Sequence, residues 1–176
     1  MNIQRLFLSG DSTVYNLTFI IKGDKVLLGL KKRGFGTGKW NGFGGKLEPG
    51  ETVTDSAVRE IEEECGLRVR PEDLKLMGVN HFEFLWNPGV REVHIFTCDK
   101  YEGEIIESEE MLPKWYPIDE TPRNEMWTDD VHWFSLLFGE IRFRGYFLFE
   151  EHSSLRQYLI VDLDQPSKVI ASMNFS

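Results

Sequence analysis

The chain has 176 residues, of which 41% are hydrophobic and 28% charged, and its net charge is −9. This size and composition suit one globular domain, residues 1–176, with a sizeable core. The acidic balance excludes binding of a nucleic-acid polymer through a general basic surface, although a bound metal ion can still attract a small phosphate ligand. Two cysteines are too few for a disulfide framework, so we expect a reduced, cytoplasmic setting without a membrane anchor.

The first part of the chain predicts two strands and a glycine-rich loop. Residues 14–21 and 25–30 alternate as strands do, and Gly23-Asp24 between them is typical of a tight hairpin. Residues 33–45 then contain six glycines and predict a loop.

A helix is predicted directly after this loop, at about residues 53–65. Thr52 is a candidate N-cap, Asp55 approximates a capping box with it, and Gly66 is placed to end the helix in a left-handed conformation. One face of the helix repeats with helical spacing and should be buried. That face consists of Val53, Ala57, Ile61 and Cys65.

The second half is rich in strands and has no internal repeat or linker. Residues 74–86 and 90–101 predict a long antiparallel pair that turns at Asn87-Pro88-Gly89. The order of the predicted strands and helices favours a mixed α/β (α+β) fold with helices on both sides of a mixed sheet. The segment after about residue 150 is either an accessory strand or a tail. The other predicted elements are strands at 112–116, 142–149 and 156–163, and a helix that ends near 138 and is capped by Asp129 or Asp130.

An acidic cluster lies on the first predicted helix. Glu60 and Glu64 are four residues apart and share a face, Glu63 lies beside that face, and Arg59 can pair with Glu63. Like charges at this spacing repel, and a hard divalent cation such as Mg²⁺ removes the cost. A solvated acidic helix face is the alternative for any run of glutamates.

The run from Gly45 to Leu67 matches every fixed position of the Nudix box, with Glu51 and Arg59 at the required spacings. The chain therefore resembles the Nudix hydrolases, magnesium enzymes that cleave a nucleoside diphosphate linked to another group. The resemblance implies an α/β/α sandwich with a mixed sheet between helices.

The same resemblance implies roles for the acidic residues. Mg²⁺, for which Mn²⁺ can substitute, would be held by the box glutamates, bridge phosphate oxygens and activate a water. Glu51 would orient the loop, and Lys46 would neutralise phosphate or remain solvated. Glu110 is the candidate for a carboxylate supplied by another loop, against the alternative of a solvated acidic loop. The implied catalytic residues are Arg59, Glu60, Glu63, Glu64 and Glu110, and the implied metal ligands are Gly44, Glu60, Glu63, Glu64 and Glu110.

A second resemblance narrows the substrate to the MutT-type members that hydrolyse oxidised purine nucleoside triphosphates. It runs from about residue 14 to about 150, so residues 1–13 and about 151–176 carry no motif. Trp127 would stack on the purine, Asn41 offers a donor and an acceptor, and adjacent Asp129 and Asp130 can share a proton. The matching segments are residues 31–45, 82–84, 107–111, 126–130, 133–134 and 144–147. The implied substrate-binding residues are Asn16, Lys31, Phe35, Asn41, Phe82, Met111, Trp127, Asp129, Asp130 and Trp133.

The chain departs from this pattern at Asn16, where the family has a small hydroxyl residue near the base, so Asn16 could retune base selectivity. The expected activity is Mg²⁺-dependent hydrolysis of 8-oxo-dGTP and 2-hydroxy-dATP to the monophosphate and pyrophosphate, by a monomer. Two alternatives stay open. One is a Nudix hydrolase of ADP-ribose, a dinucleoside polyphosphate or an ordinary nucleotide, and the other is a non-catalytic nucleotide-binding module.

Overall fold

The computed structural model describes Phe7, residues 12–151 and residues 153–174. Most of residues 1–13, which carry no motif, therefore lie outside the described residues. The chain forms two compact units. The motif unit contains Tyr15–Leu76 and Ile95–Trp127, and the second unit contains the described parts of Met1–Val14, Met77–His94 and Thr128–Ser176.

The described residues form nine strands, two α-helices and three short 3-10 helices. The strands are β1 (Ser12–Lys22), β2 (Lys25–Lys31), β3 (Trp40–Asn41), β4 (Lys75–Phe84), β5 (Asn87–Cys98), β6 (Met111–Pro117), β7 (Phe143–Glu151), β8 (Ser154–Asp162) and β9 (Val169–Met173). The helices are α1 (Val53–Cys65) and α2 (Asp130–Phe138), with 3-10 turns at Pro71–Asp73, Ile118–Glu120 and Arg123–Glu125. Within this part of the chain, no helix is long and apolar enough to cross a bilayer.

Strand β2 organises the motif unit. It pairs antiparallel with β1 through the predicted hairpin, and also with β3 and β6. The glycine-rich loop returns along β1, where Thr18 and Phe43 exchange two backbone hydrogen bonds of 2.7 and 2.9 Å. Below this sheet, α1 contributes Ile61 and Cys65 to a core that also contains Leu27 and Phe43. The loop is therefore held between a strand and the motif helix.

The second unit is built on a parallel pair. Strand β7 lies parallel to β4 from Gly78↔Phe143 to Phe84↔Phe149, and antiparallel to β8, which pairs with β9. One face of this sheet is aromatic, with the rings of Phe82 and Phe147 stacked at 5.3 Å. Parallel and antiparallel pairs occur together, which confirms the predicted mixed α/β (α+β) class.

Two features differ from the sequence-based expectations, and a third answers a question that the sequence left open. The hairpin between β4 and β5 turns at Leu85-Trp86, and the predicted turn Asn87-Pro88-Gly89 instead begins β5. Pro88 lacks an N–H but is tolerated at the start of a strand, so it does not force the turn there. Strand β3 lies inside the segment predicted as loop. The segment after about residue 150 was expected to be either an accessory strand or a tail, and it contains the accessory strand β9.

Local capping sets where α1 begins and ends. The Thr52 side chain accepts from the Asp55 N–H at 3.1 Å, and the Asp55 carboxylate accepts from the Thr52 N–H at 3.4 Å. Gly66 closes the helix at φ +78°, where an added Cβ would collide with Ile106. The predicted bounds of this helix are confirmed. They could be predicted because the residues that set them, Thr52, Asp55 and Gly66, lie in or next to the helix.

We expect Thr52→Ala to lower the free energy of unfolding by about 1 kcal/mol, because one helix N–H loses its acceptor. Thr52→Ser keeps the oxygen and is the matched control. Chemical denaturation of both variants provides the measurement, and equal losses in the two variants would contradict a capping role for the hydroxyl.

Candidate active site

The glycine-rich loop lies directly against the acidic face of α1. The N–H of Gly44 donates to Oε2 of Glu64 over 2.9 Å. At Gly45 an added Cβ would lie 2.5 Å from Oε1 of Glu60, so a side chain there would push the Glu60 carboxylate out of this position. The glycines thus allow the backbone to approach two carboxylates that share one helix face.

Arg59 joins three carboxylates of the motif. Its Nε and Nη2 donate to the two oxygens of Glu51 at 2.6 and 3.0 Å, a bidentate pair. Its Nη1 donates to Glu60 at 2.9 Å and to Glu63 at 3.2 Å, which confirms the predicted pairing with Glu63. Hydrogen bonds from Arg59 lower the pKa of Glu51 to about 2, so Glu51 stays ionised and anchors the arginine.

Lys31 and Glu110 belong to the same cluster. The Lys31 ammonium lies 3.5 Å from Oε1 of Glu64 and 3.1 Å from Oε2 of Glu110. Arg33 donates to the other oxygen of Glu110 at 2.9 Å. Hydrogen bonds from Arg33 and Lys31 lower the pKa of Glu110, so this carboxylate is ionised at neutral pH. The Lys31 ammonium therefore bridges Glu110, the carboxylate from the second loop, to Glu64 on α1.

Burial controls the ionisation of the two inner glutamates. Glu64 is 2% exposed, and its desolvation raises its pKa to about 7 despite the opposing effects of Lys31 and the Gly44 N–H. Burial also raises the pKa of Glu60, against the lowering effect of Arg59. The positive charges near Glu60 and Glu64 therefore do not offset the cost of burying these carboxylates in their ionised form.

The cluster fits a divalent cation by its chemistry. The donors are carboxylate oxygens, which hard cations prefer, and the buried pair would be stabilised by added positive charge. Among the described residues, no three acidic, histidine or cysteine side chains already have the spacing of metal ligands. Arg59 contacts Glu60 and Lys31 contacts Glu64 instead, and a cation bound to Glu64 would displace the Lys31 ammonium. Glu63 is the most exposed of the predicted ligands, with 59% of its side chain accessible.

An aromatic and cationic group surrounds Trp127 in the motif unit. The Phe35 ring stacks on it at 5.1 Å with an angle of 20°, and Phe35 itself is 59% exposed. Lys39 lies 5.2 Å from the Trp127 ring centre. Gly36, at φ +84°, lets the loop pass within van der Waals distance of the indole. One face of Trp127, the residue predicted to stack on the purine, is therefore covered by Phe35 in this structure.

Three other predicted substrate residues of the motif unit take part in internal contacts. Asn16 is buried, and its amide nitrogen donates to Oγ of Ser56 at 2.9 Å, which ties β1 to α1. The Asn41 oxygen accepts from the Gly42 N–H at 2.8 Å. Met111 is 3% exposed within the core beneath the sheet. Lys46 lies exposed on the loop.

The remaining predicted residues lie in the second unit. Asp129 and Asp130 are each 3% exposed, and Oδ2 of Asp129 accepts from the Trp133 indole N–H at 2.8 Å. Asp129 occupies the N-cap position of α2, but within the described residues its side chain makes no capping hydrogen bond. The predicted cap by Asp129 is therefore wrong, because its backbone is already helical and the carboxylate turns to Trp133. Phe82 is half-buried on Phe147.

Sequence reasoning missed Arg33 and Lys39 as members of these groups. Arg33 reaches Glu110 across 77 positions, and Lys39 reaches Trp127 across a similar gap. Both residues lie in the glycine-rich segment 31–45, which carries the family resemblance. Their position in that segment is the one signal in the sequence that could have identified them.

We expect Glu64→Gln to stabilise the metal-free protein at pH 8. The pKa of Glu64 rises on folding from an ordinary value of 4.5 to about 7. Its contribution to stability is thus complete at low pH and is lost as the pH rises between these values. The variant removes that loss, which is on the order of 1 to 3 kcal/mol. Denaturant unfolding in EDTA at pH 4.5 and pH 8 measures it; an equal pH slope in both proteins would contradict the assignment.

The chain is similar to known proteins over most of its length. The NUDIX domain profile matches residues 14–137. Proteins named oxidized purine nucleoside triphosphate hydrolase are 45% identical in Danio rerio and 44% identical in Mus musculus. Each alignment spans 153 residues, covering 87% of this chain and 97% of the relative.

A solved structure shares the fold. A mutator MutT protein from Bacillus halodurans superposes with a TM-score of 0.74 at 26% identity, covering 84% of this chain and 97% of that one. The family profile includes the glycine-rich loop, α1 and its complete set of carboxylates, and it extends to α2. The chain belongs to the NUDIX domain family.

Proposed function

We propose that this protein hydrolyses oxidised purine nucleoside triphosphates, such as 8-oxo-dGTP and 2-hydroxy-dATP, to the monophosphate and pyrophosphate. The observation that carries the proposal is the pair of carboxylates on one helix face, buried Glu64 and partly buried Glu60, which lie against a glycine-rich backbone and have raised pKa values. The similarity to two named oxidized purine nucleoside triphosphate hydrolases supports the substrate class.

Nudix hydrolases generally use divalent metal ions, and we propose Mg²⁺ here, with Mn²⁺ as a substitute. Such an ion supplies positive charge to the phosphates and makes a bound water more acidic. The proposed ligands are the side chains of Glu60, Glu63, Glu64 and Glu110 and the backbone of Gly44. The hard oxygen donors and the raised pKa values of the two inner glutamates support this choice.

The chain's own cations have defined parts in this proposal. Arg59 is anchored by its bidentate pair with Glu51, so it can hold Glu60 in a fixed orientation. Lys31 lies between Glu64 and Glu110, and its flexible stem lets the ammonium turn from these oxygens to a phosphate oxygen. We therefore assign Lys31 to substrate binding.

Glu110 is the proposed general base. Its lowered pKa keeps it ionised, so it is free to accept a proton from the attacking water, although the same shift makes it a weaker base than Glu64. Its neighbours Arg33 and Lys31 hold both of its oxygens, so the carboxylate has a defined orientation. Members of this family differ in which glutamate acts as base, and Glu64 is the alternative within this cluster.

The base-binding roles follow from side-chain chemistry. We assign stacking on the purine to Trp127, supported by the Phe35 ring that already stacks there. Asn41, Asp129 and Asp130 are assigned hydrogen bonds to the base. Other apolar contacts are assigned to Phe35, Phe82, Met111 and Trp133, and Asn16 is assigned an indirect effect through the loop that it holds.

The wider setting follows from the same proposal. The protein would act as a monomer with one catalytic domain over residues 1–176, in the cytoplasm, where it would remove damaged nucleotides before they are incorporated into DNA. Its partners would be small nucleotides and not nucleic-acid polymers, in agreement with the net charge of −9.

One substrate panel tests the proposal directly. Purified protein with Mg²⁺ is offered 8-oxo-dGTP, 2-hydroxy-dATP, O6-methyl-dGTP, dGTP and ADP-ribose, and the products are identified. We expect the highest kcat/KM on an oxidised purine triphosphate, with release of pyrophosphate. Preference for ADP-ribose, or release of orthophosphate from a triphosphate, would refute the proposal.

Turnover should depend on Glu64 and on a divalent cation. We expect Glu64→Gln to lower kcat/KM by far more than tenfold, a barrier increase well above about 1.4 kcal/mol, because a buried oxygen donor is lost. Glu62→Gln changes an exposed glutamate of the same helix and should keep full activity. Hydrolysis rates with Mg²⁺ and with EDTA provide the measurement. Metal-independent cleavage, or equal losses in both variants, would contradict the proposed chemistry.

Base selectivity should depend on Asp129 and Asp130. Replacing either residue by Asn fixes one hydrogen-bonding pattern in a group that could switch between donor and acceptor. A buried mismatch costs on the order of 1 to 3 kcal/mol, so the kcat/KM ratio of 8-oxo-dGTP to dGTP should change by about tenfold or more. Steady-state kinetics measures this ratio. If both variants slow all substrates equally, the pair only supports the fold.

A further inference from the structure

Asn80 is a buried amide whose polar atoms lack partners. It is 0% exposed, and neither its oxygen nor its nitrogen has a hydrogen-bond partner among the described residues. Buried polar side chains are almost always hydrogen-bonded, and leaving one unsatisfied is costly. An amide kept at this cost is a candidate for binding something that the chain itself does not supply.

The second unit places this amide on its aromatic face. Asn80 on β4 lies opposite Gly145 on β7, where an added Cβ would collide with both the Asn80 oxygen and the Phe147 ring. The carboxamide therefore lies over Gly145, beside Phe147. Phe82, two residues further along β4, stacks on the same Phe147 ring at 5.3 Å. The glycine leaves room for the amide between flat apolar walls.

Helix α2 covers this face of the sheet. Trp133 lies 5.7 Å from Phe143, which pairs with Gly78, two residues before Asn80. His132 stacks at 4.2 Å on Tyr158 of β8. The amide of Asn80 thus lies on the sheet face that packs against α2.

We infer that Asn80 is a further specificity-determining residue, whose carboxamide hydrogen-bonds the edge of the purine base. This inference rests on the proposed function and extends its base recognition to a residue outside every motif segment. A carboxamide offers two donors and one acceptor oxygen, which match the adjacent donor and acceptor groups on a purine edge. Aromatic rings on the same face suit a planar ligand.

The test combines stability with binding of nucleoside monophosphates, which requires no catalysis. Asn80→Leu keeps the approximate volume and removes both unsatisfied groups. Thr18→Val is the matched control, since Oγ1 of Thr18 is also buried without a partner within the described residues, in the motif unit. Both variants should raise the thermal unfolding midpoint by roughly 2 to 4 °C for each unsatisfied group removed.

Only Asn80→Leu should change base recognition. We expect its affinity for 8-oxo-dGMP relative to dTMP to fall at least tenfold, with Thr18→Val unchanged. An unchanged ratio overturns the inference. If Asn80→Leu lowers the midpoint or does not fold, the larger leucine is overpacked. Asn80→Ala then carries the same binding comparison, and an unchanged ratio in that variant overturns the inference.

Failure of the two proposals can be told apart. If wild-type protein binds 8-oxo-dGMP in an Asn80-dependent way but does not hydrolyse the triphosphate, the proposed function fails and the Asn80 inference stands. If it hydrolyses oxidised purine triphosphates with Asn80→Leu selectivity equal to wild type, only the Asn80 inference fails.

Discussion

The close approach of a glycine backbone to the acidic face of α1 is the constraint on which the site depends. At Gly44 an added Cβ would overlap the backbone oxygen of Asn16, and at Gly45 it would press on the Glu60 carboxylate. Glu64 is 2% exposed beside this loop, and its burial raises its pKa against the lowering effect of the Gly44 N–H. The loop can therefore lie close to carboxylates that are costly to ionise, and a solvated glutamate would not have this property.

Arg59 and Lys31 act as internal counter-ions, but they differ in permanence. Arg59 is locked by a bidentate pair with Glu51, whose pKa is about 2, so this contact persists over the physiological range. Lys31 makes two single contacts of 3.5 and 3.1 Å on a flexible stem. At the proposed metal site, a cation would therefore displace Lys31 more readily than Arg59.

The features that could be predicted from the sequence depend on signals a few residues apart. The bounds of α1 follow from Thr52, Asp55 and Gly66, which act locally. The Asn16 contact with Ser56 spans 40 positions and had no local signal, so Asn16 was assigned to the base alone. The β4–β5 turn was misplaced because proline and glycine usually mark turns, whereas here Leu85-Trp86 forms the turn and the Trp86 ring packs edge-on against Phe84.

The packing of Met111 has a consequence for chemical durability. Its sulfur lies against Gly29, where even an added Cβ would be 2.9 Å away, and the residue is 3% exposed. Oxidation would add a polar oxygen to the thioether in a place with no space for it. The closed packing around this sulfur therefore shields it from peroxide. A protein whose proposed substrates are products of oxidative damage thus keeps this oxidisable atom inside its core.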